Sequence, residues 1–360
     1  MKIIKWLSCF LLGLFLYPTQ NSAQSDVGDK SFEKLINNKF ESLDHRLDQI
    51  EKAIDDIQWN NKVGDVADID KVFIVGPPPA HVKNPTAMGA KNPLKFWIYI
   101  FFPKKLDRKK DYPLIILPHG GVHANFTTYH THIIRELMAQ GYVVAAPEYR
   151  GSTGYGSGFY KQIDYGGLEV DDNNACRDYM VDTYRFIDKD RVGIMGWSHG
   201  GLIALMDIFQ NPDDYKVAFA GVPVSDLVAR MGYYEEDYRE QFSAEYHIGK
   251  TANENVEEYR KRSPVNYAEK LKTPLLIHTN TNDDDVNVLE VEHLIRALKA
   301  ADKKFGYEIF KEVPGGHSFD RIDTKLAKQT RIKIYKFMGE YLNPPNQIES
   351  VEELEKAGYR

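Results

Sequence analysis

Residues 196–201 read GWSHGG, which sets glycines two positions before and two positions after Ser198. That G-x-S-x-G spacing is the pattern of a nucleophile elbow, where a strand turns sharply into a helix and lifts a serine to the crest of the turn. Side chains at the glycine positions would collide with the neighbouring strand or helix. A serine hydroxyl is a weak nucleophile at neutral pH, so it needs a base to take its proton and a carboxylate to orient that base. With an elbow of this kind the acid and then the histidine follow the serine along the chain, each after a later strand. PLLIH is followed by TNTNDDDVNV, and YEIFKEV by PGGHSFD. His317 is therefore the expected base. Asp283, Asp284 and Asp285 are all candidates for the acid, and pattern alone does not separate them. The tetrahedral intermediate of acyl transfer also needs backbone N–H donors for its oxyanion. The amide of His199 is the first expected donor. The HGG of IILPHGGVH supplies the second, with Gly121 ahead of Gly120.

These residues need a scaffold, and the chain supplies one by alternation. LKFWIYIFF, PLIILPHGG, YVVAAPEYRG, RVGIMGW, VAFAGVPV, PLLIHTN and GYEIFKEVP are β-branched or aromatic runs. Helical stretches such as THIIRELMAQ, GLIALMDIFQ and VLEVEHLIRALKAA lie between them. Short, nearly continuous apolar strands separated by helices predict an α/β fold with a mostly parallel, doubly wound sheet covered on both faces. RVGIMGW and GLIALMDIF place Ser198 at a strand-to-helix junction, as an elbow requires.

The N-terminus reads as a targeting segment. MKIIK is basic, WLSCFLLGLFLY is apolar, and NSAQS offers small residues for cleavage after Ala23. Residues 1–23 are thus an expected signal peptide, with no stable membrane span after its removal and a periplasmic or secreted destination. Cys9 would leave with it, so Cys176 would remain as the single thiol and no internal disulfide could form. A formal net charge of −6 argues against nucleic acid as a partner. Residues 24–76 are expected to hold a helical segment and a first strand, 77–93 a Pro-rich connector, 94–343 the catalytic domain and 344–360 a polar tail.

Within residues 31–58, Ile36, Phe40, Leu43, Leu47, Ile50, Ile54 and Ile57 alternate in steps of four and three, a heptad seam. With Phe40, Leu47 and Ile54 at a positions, Lys39 and Arg46 fall at g and Asp44 and Glu51 at e. The seam suits either a cover for the main domain or a homo-oligomer joined through this helix. His123, His130 and His132 lie close together, but His130 and His132 would point to different sides of a helix, so no metal and no cofactor is expected. Trp197, Tyr233 and Tyr234 suit either a substrate pocket or the core.

Taken together, the residues from about Leu94 to Leu342 resemble the catalytic domain of the prolyl oligopeptidase family of serine peptidases, within the α/β-hydrolase superfamily. HGG at 119–121, YRGSTGYGSGF at 149–159, GGLEVDD at 166–172 and DRVGIMGWSHGG at 190–201 carry the resemblance. So do YRKRSP at 259–264, D-x-x-V at 283–286 and GGHSF at 315–319. The D-x-x-V match implies Asp283 as the catalytic carboxylate. The segment before Leu94 is too short for the β-propeller that many members carry, so the resemblance implies a catalytic domain without one. No tyrosine of HGGVHANF matches the oxyanion tyrosine of some relatives, which implies backbone amides alone. The expected activity is an exported serine hydrolase cleaving peptide or acyl-amide bonds through an acyl-enzyme. The alternative is an esterase acting on acylated carbohydrate or other small esters.

Overall fold

The computed structural model describes residues 22–358 apart from 83, and the expected signal segment up to residue 21 lies outside the described residues. Eight strands form one sheet: β1 (Ala67–Val75), β2 (Lys95–Pro103), β3 (Tyr112–Ile116), β4 (Val143–Pro147), β5 (Ile187–Trp197), β6 (Val217–Gly221), β7 (Leu275–Asn280) and β8 (Gly306–Phe310). Their spatial order is β1-β2-β4-β3-β5-β6-β7-β8. β2 pairs antiparallel with both of its neighbours, and every other pairing is parallel.

Helices alternate with these strands: α1 (Ser22–Val63), α2 (Thr131–Gln140), α3 (Ser157–Tyr160), α4 (Leu168–Thr183), α5 (His199–Gln210), α6 (Leu227–Tyr233), α7 (Glu236–Ser243), α8 (Val256–Lys261), α9 (Val288–Ala300), α10 (Lys325–Leu342) and α11 (Val351–Gly358). Successive strand residues point to opposite faces. Leu114, Ile116, Ile194, Ala218 and Ile277 therefore join a core with Leu202 and Leu205 of α5 and Leu294 of α9. Ile115, Val144, Met195, Val217 and Phe219 join a second core with Ile134 of α2 and Met338 of α10. Both faces of the sheet are apolar because the strands carry apolar residues at odd and even positions alike.

Three segments outside the main strand-and-helix alternation are joined to the sheet domain. β1, the expected first strand, is the outer strand of the sheet, in register with β2 from Ala67 opposite Pro103 to Val75 opposite Lys95. The connector after it is tied down, since the buried Arg150 guanidinium donates to the carbonyls of Pro77 and Pro78 at 3.0 and 3.2 Å. The polar tail folds back as α11 and buries Ile348 and Leu354 in the second core. The chain divides into two compact units at Asp44 and His45, within α1.

From His45 onward, α1 packs on the sheet domain, but not through its apolar seam. Trp59 is buried, stacked on Phe126 with ring centres 5.4 Å apart and edge-on to Phe101. Buried Lys52 sits 2.6 Å from the Glu148 carboxylate and donates to the Phe126 carbonyl. Asp55 accepts from the amide and hydroxyl of Thr128. These residues occupy heptad positions b and f, opposite the seam. The alternative of a seam that covers the domain is overturned: Leu47, Ile50, Ile54 and Ile57 are all exposed.

Candidate active site

Ser198 lies between the end of β5 and the start of α5 with φ 60° and ψ −122°. For a residue with a Cβ this conformation is strained by on the order of 1–3 kcal/mol. It persists because the surroundings hold both ends of the residue: its amide donates to the Gly221 carbonyl at 2.9 Å, and its carbonyl accepts from Leu202 and Val224. The flanking glycines are obligatory. A Cβ on Gly196 would run into the backbone of Gly200, and one on Gly200 into the carbonyl of Pro118.

Three consecutive aspartates after β7 have three separate roles. Asp283, fully buried, places both carboxylate oxygens 2.9 Å from Nδ1 of His317. It also accepts from the amides of Asp285 and Val286 at 2.9 and 2.8 Å, which fixes the carboxylate plane. Asp284 accepts from the His317 backbone amide at 3.1 Å, and a Cβ on Gly316 would strike its carboxylate. Asp285 instead turns to the buried guanidinium of Arg230 at 2.5 Å, with one oxygen 4.0 Å from Nε2 of His317. His317 rides on a short turn after β8, entered through Gly315 and Gly316 at φ 108° and 51°. Arg321 holds the His317 carbonyl. Among the described residues, no hydrogen bond yet joins the Ser198 hydroxyl to His317, a contact that often tightens only with substrate bound.

On the other side of Ser198 stands the HGG loop. A Cβ on Gly120 would lie 3.3 Å from the Ser198 Cβ, so the loop reaches the nucleophile by main chain alone. Gly121 has φ +85°, where a Cβ would press on Ala124. His119, which the sequence reading did not single out, positions Nδ1 2.9 Å from the Gly120 carbonyl. In a trans peptide that carbonyl and the Gly121 N–H point in opposite directions, so holding one sets the other. Burial keeps His119 neutral, lowering its pKa to about 3. Its place as the first residue of HGG was the available signal.

Trp197 belongs to the core. It is 2% exposed, packs edge-on to Phe219 and donates its indole N–H to Asp320 at 2.7 Å. As the last residue of β5 it points into the second core. Tyr233 and Tyr234 do border an open cavity of about 780 Å³, together with Tyr238, Tyr246, Asp284 and Asp285. Arg230 organises that wall by donating to the hydroxyls of Tyr233 and Tyr238 at 3.0 and 2.7 Å. No sequence pattern marks Arg230, because apart from Tyr233 on its own helix its partners include Tyr238 of α7 and Asp285 of the aspartate loop. The three clustered histidines have separate surroundings: His123 stacks on Tyr160, His130 stacks on Phe126, and burial lowers the pKa of His132 to about 3.

Beneath the elbow, the His199 ring stacks on Tyr165 and lies 3.4 Å from the buried Glu169 carboxylate. Burial first, and the charge of Asp164 second, push the Glu169 pKa from 4.5 up to about 8. An acid whose pKa is raised on folding contributes stability that is fully present below its unfolded pKa and lost as pH rises through the folded one. The unfolding free energy should therefore decline between about pH 4.5 and pH 8, and Glu169→Gln should flatten that slope in urea titrations. An unchanged slope in the variant would show that Glu169 is ionised in the folded protein.

Comparison with known proteins bears on the family and the fold. A family model described as the prolyl oligopeptidase family matches residues 128–345. An uncharacterized peptidase of Bacillus subtilis is 31% identical over 57% of this chain and 31% of its own length. The acylamino-acid-releasing enzyme of Arabidopsis thaliana is 27% identical over 72% of this chain and 34% of its own. The chain thus spans about a third of these relatives. The solved Pyrococcus horikoshii acylaminoacyl peptidase superposes with a TM-score of 0.63 at 20% identity, over 82% of this chain and 45% of that one, and shows the shared fold. With an α/β-hydrolase sheet, a strained serine at its elbow and a family match over most of the domain, the chain belongs to the prolyl oligopeptidase family of serine peptidases.

Proposed function

We propose that this protein is an exported serine peptidase that cleaves peptide or acyl-amide bonds through an acyl-enzyme on Ser198. The observation that carries the reading is the pairing of the Ser198 elbow with a His317 whose Nδ1 is held by the buried Asp283. The Nδ1–H of His317 donates a hydrogen bond to Asp283, so the lone pair of His317 sits on Nε2. That atom takes the Ser198 proton as Oγ attacks the carbonyl carbon, and the amides of His199 and Gly121 receive the oxyanion. The same Nε2 then protonates the departing amine, and a water repeats the sequence to release the acid. Asp285 beside Nε2 supports the imidazolium while the tetrahedral species persists. The cavity bordered by Asp284 and Asp285 is walled by tyrosines and carboxylates, which favours neutral or basic groups over acidic ones within it. The basic and apolar N-terminal run supports export.

A panel of N-acylated and free-amino peptide anilides, run beside acetyl and feruloyl esters, tests the reading. Turnover of anilides with neutral or basic side chains, preceded by a burst of the first product from esters, is expected. Ester hydrolysis with no anilide turnover across the panel would overturn it in favour of an esterase.

A further inference from the structure

We propose that the exposed seam of α1 is the docking surface for a second copy of this chain, forming a parallel two-stranded coiled coil. Ile36, Phe40, Leu43, Leu47, Ile50, Ile54 and Ile57 are between 36% and 68% exposed, at strict a and d spacing over three heptads. In an isolated amphipathic helix on a domain surface, such a stripe would be the buried face. Here the helix is used the other way round. His45, Lys52 and Trp59 at f, Asp55 at b, and Asp56 and Val63 at c make the contacts with the chain's own domain. The positions that face solvent in a two-stranded coiled coil are thus the ones already occupied. Within residues 45–360, Leu47, Ile50, Ile54 and Ile57 are therefore left for a partner.

The flanking charges identify that partner as the same helix and set its direction. In a parallel pair, a g residue of one chain meets the e residue of the following heptad on the other. Lys39 would face Asp44 and Arg46 would face Glu51, each pair occurring twice across the dyad. An antiparallel pair would set g against g and e against e, placing the two cations together and the two carboxylates together. The same argument disfavours an acidic lipid surface, because Asp44 and Glu51 stand on the e edge of the seam.

The test is the mass of the protein in solution, by light scattering and sedimentation at micromolar concentration. Twice the chain mass is expected. Leu43→Lys with Ile50→Lys should return it to monomer while ester hydrolysis is retained. Lys39→Glu with Arg46→Glu should also give monomer, as should Asp44→Lys with Glu51→Lys, and mixing the two charge variants should restore a dimer containing one of each. Ile57→Cys should form an intermolecular disulfide on mild oxidation, since d residues face their own counterparts in a parallel pair. In an antiparallel pair those cysteines would lie roughly 30 Å apart. A monomeric wild-type protein, a dimer indifferent to the lysines, or a monomer whose seam binds anionic vesicles would each overturn the proposal.

Discussion

Ser198→Ala should abolish labelling by a fluorophosphonate probe and reduce hydrolysis on the order of 10⁶-fold, the scale at which loss of a serine nucleophile disables a triad. The backbone at this position should survive the change. The elbow is held by the amide bond to Gly221 and by the carbonyl contacts with Leu202 and Val224, none of which uses the hydroxyl. Thermal stability should therefore stay close to that of the unsubstituted protein, and circular dichroism beside the labelling gel separates lost chemistry from lost fold. Full-strength labelling of the variant would remove Ser198 from its role. Residual hydrolysis above the water rate is expected, because the amide donors and the cavity remain.

Asp283→Asn should reduce turnover by on the order of 10⁴-fold with little change in KM, since neutralising a triad carboxylate leaves the imidazole in the wrong tautomer. The amide would present either an oxygen or an N–H to Nδ1 of His317. It would also still have to accept from the amides of Asp285 and Val286, which keeps its oxygen turned toward them. Asp284→Asn should have a far smaller effect, because its oxygen receives only the His317 backbone amide. Asp285→Asn should also cost much less than Asp283→Asn, with its loss appearing at the cavity wall where Arg230 and Tyr234 are its partners. Steady-state kinetics on one ester substrate across the three variants decides the order. A crippling loss in Asp285→Asn with a mild one in Asp283→Asn would reverse the roles drawn from the geometry.

The charge run DDD shows how far local pattern reaches. Three adjacent carboxylates of identical type present the same local signal, and the difference between them is made by backbone direction. The turn after β7 faces one side chain inward to His317, one to the following loop and one outward to Arg230. The reverse problem arises at Trp197. An aromatic next to the nucleophile is equally compatible with a pocket and with a core, and strand parity sends this one into the second core beside Phe219. Tyr233 and Tyr234, read in the same way, reach the cavity because α6 ends at its rim.

Some features were written in the sequence because they depend on interactions between near neighbours. The elbow needs small residues at two fixed offsets from Ser198, and the strands that build the sheet need unbroken apolar runs. The heptad seam needs only its own periodicity, so all three could be read without coordinates. The tertiary structure decided what each element faces. Periodicity showed that α1 has an apolar stripe, but only packing showed that Trp59 and Lys52 on the other side bind the domain and leave the stripe outward. It likewise placed β1 at the sheet edge and chose Asp283 from three identical neighbours. The physical reason is common to these cases: a residue's type and spacing fix what it can bind, while its partner is set by chain segments tens to hundreds of residues away.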